Sequence, residues 1–199
     1  MTHPTPPDLL TLHAVRTLGY ASTARVAGRT GLPVATAEEH LLDAQAFGQV
    51  SWTGYHGDGG WSLTEAGKAH EEKLLAAELD ATGARALVEA VHHDFLPLNE
   101  TVSATCTAWQ LAELEMTDDP PTLTEILAAL SGPARRLEGL EQRLTSVLPR
   151  FAGYHERFAG ALERAEHDLH WVTGTDRDSC HRVWFELHED LAATLGLGH

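Results

Sequence analysis

Residues 21–67 read ASTARVAGRTGLPVATAEEHLLDAQAFGQVSWTGYHGDGGWSLTEAG. Ser22 or Thr23 suits the N-cap of a helix running to Arg29, in which Ala24, Val26 and Ala27 offer small packing residues. Gly31-Leu32-Pro33 makes a turn, and Pro33 fits the first turn of the next helix, where its missing N–H forfeits no bond. In that helix Ala37, Leu41, Ala44 and Phe47 form one apolar stripe, ended by Gly48, while Val34, Thr36, Glu38, Glu39, His40 and Asp43 lie on the opposite face. Val50 and Trp52 then alternate with Ser51 and Thr53 as a half-buried strand does, and Trp61 and Leu63 repeat the pattern on a returning strand. Between them His56-Gly57-Asp58-Gly59-Gly60 holds an Asp-Gly turn signal. Thr64 caps a further helix, whose Gly67 allows close packing.

Working outward, Thr2 to Pro7 carries three prolines and reads as an extended lead-in. Asp8 is the expected N-cap of a first helix built on Leu9, Leu12, Val15 and Leu18 and ended by Gly19. Over residues 8–75, ARVAGRTGLPVATAEEHLLDAQAFGQV followed by WSLTEAGKAH resembles the DNA-binding half of MarR-type and related bacterial winged helix-turn-helix transcription regulators. The resemblance implies that the helix after Pro33 enters the major groove of double-stranded DNA, with the hairpin as a wing. The groups it offers to DNA are Ser22, Thr23, Arg25, Arg29, Thr36, Glu39, His40 and Lys68, with Arg16 as a further cation. The chain departs from the family pattern where bases and phosphates are usually met by Ser, Thr, Gln, Arg or Lys. Here stand Glu38, Glu39 and Asp43, and the wing has no Lys or Arg. One glutamate can accept from a cytosine amino group. The alternative is a winged-helix protein-interaction module whose acidic helix docks a basic partner.

The 199 residues carry a formal charge of −15, with 43% hydrophobic and 22% charged residues, which fits a folded chain and excludes a disordered one. Residues 1–75 hold five Lys or Arg against eight Asp or Glu, and residues 76–199 hold nine Arg against twenty-one acids, so most of the acid excess lies in the second part. No apolar run reaches the roughly 18 residues that read as a membrane span, and MTHPTPPDLL lacks the regions of a signal peptide, so a cytoplasmic location is expected. Two cysteines, Cys106 and Cys180, make no disulfide framework.

From Leu74 to Leu195 the pattern is almost wholly helical, so the expected fold is mainly α: an N-terminal winged helix-turn-helix domain over 1–75 and an all-helical bundle over 76–199. Helices are expected at about 68–79, 83–95 and 98–116, the last two parted by Pro97, then at 123–130, closed by Gly132-Pro133, and at 177–195. Thr117 to Pro121 is a loop. Leu137, Leu140, Leu144, Val147, Phe151, Tyr154, Phe158, Ala161 and Ala165 step by threes and fours in a heptad seam interrupted at Pro149. Such a stripe serves as bundle core or as a coiled-coil face, and either use is compatible with a homodimer.

Candidate chemistry is concentrated in the helical part. Phe95, Trp109, Tyr154 and Trp184, with His92, His93 and His181, could line an aromatic pocket for a small-molecule effector of unknown identity, or simply form core. A metal site built from His92-His93-Asp94, Cys180-His181 and His188 lacks CxxC or HExxH spacing, so no metal or other cofactor is expected, a metal sensor being the minor alternative. Cys180 beside His181 is no nucleophile–base pair, since adjacent helical residues point about 100° apart. With no GxSxG, P-loop or dinucleotide fingerprint, the chain is not expected to be an enzyme.

Overall fold

The computed structural model describes residues 4–55 and 58–197. These residues form a mainly helical protein with one two-stranded sheet. They are organised as two compact units. The first comprises the chain up to Arg85, the segment Val147–Arg150 and the chain from Glu189 on; the second comprises Ala86–Ser146 and Phe151–His188. Among the described residues no helix is long and apolar enough to cross a membrane.

In the first unit α1 spans Pro7–Leu18, α2 Thr23–Thr30, α3 Val34–Ala46 and α4 Glu65–Thr82, with strands β1 (Val50–Tyr55) and β2 (Asp58–Leu63) between the last two helices. Asp8 is not the cap of α1. Pro6 holds that position and Pro7 opens the helix, leaving Asp8 in the first turn, where its charge complements the helix dipole. Ser22 caps α2 by accepting from the Arg25 N–H at 3.3 Å, and Gly31, at φ 71°, ends it in the left-handed conformation. Thr64 caps α4, accepting from the Gly67 N–H at 3.0 Å.

The strands pair antiparallel with Val50 opposite Leu63 and Trp52 opposite Trp61. Residues 56 and 57 of the expected Asp-Gly turn lie outside the described residues. Ala21, in the link between α1 and α2, makes a further antiparallel bridge to Trp61. The Tyr20 hydroxyl donates to the Thr53 carbonyl at 2.8 Å, which ties the same link to β1. Leu12, Val15, Leu18, Val26, Leu41, Val50 and Trp61 are buried together as one core, drawing on α1, α2, α3 and both strands. At roughly 1.5–3 kcal/mol for each large apolar side chain, that burial supplies the main drive to hold α1, α2 and α3 together.

Gly67 shows how closely α4 approaches the start of β1. A Cβ at this position would lie 1.9 Å from the Gln49 carbonyl oxygen, a backbone atom with no rotamer to yield. Gly67→Ala should therefore destabilise the protein by about 1–3 kcal/mol in urea denaturation. Gly28→Ala, in α2 where an added Cβ meets nothing within 4 Å, is the control and should be neutral or slightly stabilising.

In the second unit, α5 (Arg85–Glu113, of which Ala86 onward belongs here), α6 (Leu123–Thr145), α7 (Tyr154–Ala165) and the short α8 (His170–Thr173) precede α9 (Cys180–Leu195), which belongs to this unit as far as His188. Two expected helix breaks do not occur: Pro97 lies inside α5 and Pro133 inside α6. Pro97 is exposed, so the carbonyl that it deprives of a partner can be hydrated. The roughly 3 kcal/mol penalty of an internal proline is met by keeping Val91, Phe95, Val102, Cys106 and Trp109 on one buried face. Pro133 is itself part of the buried stripe of α6, with Ile126, Leu130, Leu137, Leu140 and Leu144. Pro149 does break the chain, opening a 3₁₀ turn, Pro149–Phe151, between α6 and α7.

The heptad stripe is buried inside the chain except at Val147, which is half-buried. It is therefore core, with α6 packed on α7. The last helix starts three residues later than expected, where Ser179 accepts from the Arg182 N–H at 3.3 Å.

Candidate functional site

On α3 the core takes Ala37, Leu41 and Ala44, and solvent takes Val34, Glu38, Glu39, Leu42 and Asp43, followed by Phe47 just past the helix. Thr36 and His40 are half-buried at the margin. The outer face thus mixes three carboxylates with three large apolar groups; Phe47 is 76% exposed.

The candidate DNA contacts on α2 and α4 are less available than their positions in the sequence suggest. Ser22 is exposed, but Thr23 accepts from the Trp61 indole Nε1 at 3.0 Å, which fixes β2 against the start of α2. Arg25 and Lys68 are half-buried; Lys68 borders a cleft of about 160 Å³ with Thr64, Glu65, Arg16 and Glu189. Arg29 turns inward. Its Nη2 lies 3.6 Å from Asp190 Oδ2, and its Nη1 donates to the Arg150 carbonyl at 3.5 Å. Arg16 donates to Glu71 at 3.0 Å, Glu72 at 3.2 Å and Glu189 at 2.7 Å.

Behind this surface is a buried charge cluster that sequence reasoning missed. The His13 ring, 3% exposed, has Nδ1 at 2.6 Å from Glu71 Oε1 and Nε2 at 2.8 Å from Asp190 Oδ1. Both ring nitrogens face carboxylates, the arrangement that favours an imidazolium, while Arg150 Nη1, 3.0 Å from Nε2, opposes the ring's charge. Arg150 Nη1 lies against the same Asp190 oxygen at 2.5 Å, Nη2 donates to Thr194 at 2.7 Å and Nε to Glu78 at 3.1 Å.

Burial and the Arg150 charge oppose the charge on His13, yet the charge of Asp190 and the hydrogen bonds to Asp190 and Glu71 prevail and raise its pKa. Burial likewise opposes ionisation of Glu71 and Asp190, and their cationic neighbours overcome it, so both carboxyls are held below their ordinary range. The sequence did contain a signal. Glu71 stands four residues before Leu75 and eight before Leu79 on the buried stripe of α4, and His13 adjoins Leu12 on the buried face of α1. A titratable group at a core position needs a partner, although the pattern does not say which.

In the second unit Phe95 stacks on Trp184 with centroids 5.0 Å apart, Phe158 tilts against Trp184 at 5.2 Å, and His188 lies over Phe95 at 6.0 Å. The Trp184 indole donates to Asn99 Oδ1 at 3.0 Å, and the Tyr154 hydroxyl donates to the Glu186 carbonyl at 3.5 Å. Phe95, Tyr154, Phe158 and Trp184 are all buried.

Trp109, also buried, lies fourteen residues beyond Phe95 on α5, about 20 Å along the helix, so the two cannot touch one small ligand. The Trp109 Nε1 has no hydrogen-bond partner among the described residues. His92 and His181 are half-buried, and burial lowers the pKa of each, with His93 adding to the effect at His92; His93 is exposed. Asp94 accepts from Arg143 at 2.6 Å. Burial pushes both Cys106 and Cys180 thiols up to about 12, away from thiolate chemistry. Among the described residues no three His, Cys, Asp or Glu side chains converge as metal ligands do.

Comparison with protein-family models, with curated proteins and with solved structures finds no match to this chain.

Proposed function

We propose that the protein is a DNA-binding transcription regulator of winged helix-turn-helix type, MarR-like, that acts in the cytoplasm as a homodimer. The second unit would carry the dimer contacts and take a small-molecule effector. One observation carries the reading: α1, α2 and α3 share a core with a hairpin that is bridged to Ala21 and followed by a capped α4. That is the order and pairing by which a helix-turn-helix holds a wing beside its recognition helix. Ser22, Thr36 and His40 border the outer face of α3, and Glu39 could accept from a cytosine amino group. Two half-sites, each read by one copy, would add contacts that a single α3 lacks.

Fluorescence anisotropy with duplexes from the region upstream of the protein's own gene, at low and moderate salt, checks the reading. Binding should weaken steeply as salt rises. Absence of binding to every genomic fragment at low salt refutes it.

The exposed Val34, Leu42 and Phe47 beside Glu38, Glu39 and Asp43 favour a second reading, in which α3 docks a basic, partly apolar protein segment. Charge reversal separates the two. Glu38→Arg with Glu39→Arg should abolish specific DNA binding if α3 reads bases, and should create DNA binding from none if α3 is a protein-docking face.

A further inference from the structure

The cluster around His13 joins parts of the chain that are remote in sequence. His13 and Asp190 are 177 residues apart, and Arg150 and Asp190 are 40 apart. Arg150 is the last residue of one segment of the first unit, and Asp190 is the second residue of another, so each stands beside a point where the chain passes between units. Arg29, in the first helix of the helix-turn-helix, faces both: the Asp190 carboxylate and the Arg150 carbonyl. The position of α2 is thereby keyed to these two segments.

We propose that this cluster is a proton-dependent latch, in which the His13 imidazolium holds the Arg150 turn and the C-terminal turns of α9 against α1, α2 and α4, and loss of its proton loosens them. The charged groups that bear on the ring come from every side: Glu71 from α4, Asp190 from α9, Arg150 from the 3₁₀ turn and Arg29 from α2, with Arg16, Glu72, Glu78 and Glu189 around them. Once neutral, the ring keeps a single N–H; with that proton on Nδ1 toward Glu71, the bond from Nε2 to Asp190 is lost and Nε2 can only accept, from Arg150 Nη1 at 3.0 Å. Arg150 bonds to Glu78 on α4 and to Asp190 and Thr194 on α9, so loosening at His13 reaches both helices and the turn that carries Arg150. The inference rests on the geometry of the first unit and stands whether or not α3 meets DNA.

The sign follows from the raised pKa of His13. The latch is fully closed below the unfolded value, about 6.5, and is lost as pH rises through the folded value. Between the two, each pH unit raises the opening equilibrium up to about tenfold.

Hydrogen-exchange mass spectrometry of the full chain from pH 5 to 10, corrected for the intrinsic pH dependence of amide exchange, tests it. Protection of residues 190–195 and of α2 should fall by up to about tenfold per unit above about pH 6.5. His13→Gln, which cannot titrate, should show low protection at every pH. Protection that is independent of pH in the wild type, or that keeps the same pH dependence in His13→Gln, overturns the proposal. If His13→Gln does not fold, NMR of the wild-type ring decides: an imidazolium at pH 7 supports the latch, and a neutral ring refutes it.

Discussion

Asp190→Asn should be among the most damaging single changes in the protein, at about 3–5 kcal/mol. The substitution keeps the size of the side chain and removes one charge. What it leaves behind is the reason for the magnitude: the His13 ring and the Arg150 guanidinium both lie within 3 Å of Asp190 Oδ1, and Arg29 is 3.6 Å from Oδ2. Breaking a buried pair on one side strands the other charge where water cannot reach it. The wild-type carboxyl is held below its ordinary range, so its contribution is complete above about pH 4 and fades only as pH falls through the folded value. Urea titrations at pH 5 and pH 9 check both parts. The loss should be larger at pH 5, where His13 is protonated and needs its counter-ion, than at pH 9. An equal loss at both would mean that Asp190 does not set the protonation of His13.

Trp184→Ala should cost a similar amount, about 3–5 kcal/mol, for a different reason. Trp184 is 2% exposed and joins Phe95 on α5 to Phe158 on α7 from its place on α9. Removing it takes away apolar contact on both sides and leaves a void that neighbouring rings cannot fill by rotation alone. Trp184→Phe should recover most of the loss, because the stacking partner is kept. The remaining deficit, about 1 kcal/mol, is the hydrogen bond to Asn99, whose oxygen is half-buried and can turn to water. Denaturation followed by circular dichroism gives both values. A small effect of Trp184→Ala, with tight binding of aromatic ligands in its place, would show that the ring occupies a ligand site and is not needed as core.

The parts of the fold that were legible in the sequence are those decided by neighbours in the chain. Ser22 and Thr64 cap helices because a hydroxyl there reaches an N–H three residues on. The strands were legible from the alternation around Val50 and Trp61, which are buried, although Trp52, expected on the buried face with Val50, is 44% exposed. Pro97 and Pro133 misled because their cost is local while the gain that outweighs it, burial of whole faces of α5 and α6, comes from elements far along the chain. The same limit hid the cluster. Leu12 beside His13 shows that the ring is turned inward, but the identity of its partners is settled by Glu71 and Asp190, 58 and 177 residues away.

That long closure also bears on when the first unit can finish folding. A ribosome releases the chain from its N-terminus, so α1 to α4 are complete while Asp190, Arg150 and Thr194 are still unmade or newly made. Until then His13 has Glu71, which also accepts from Arg16, but not Asp190. The contacts to Arg150 and Asp190 can form only after the chain has been made through those residues, at the entropic cost of closing a long loop. The segment from α1 to α4 therefore cannot be lifted out as a self-contained cassette ending near residue 85 without leaving its buried charges unanswered.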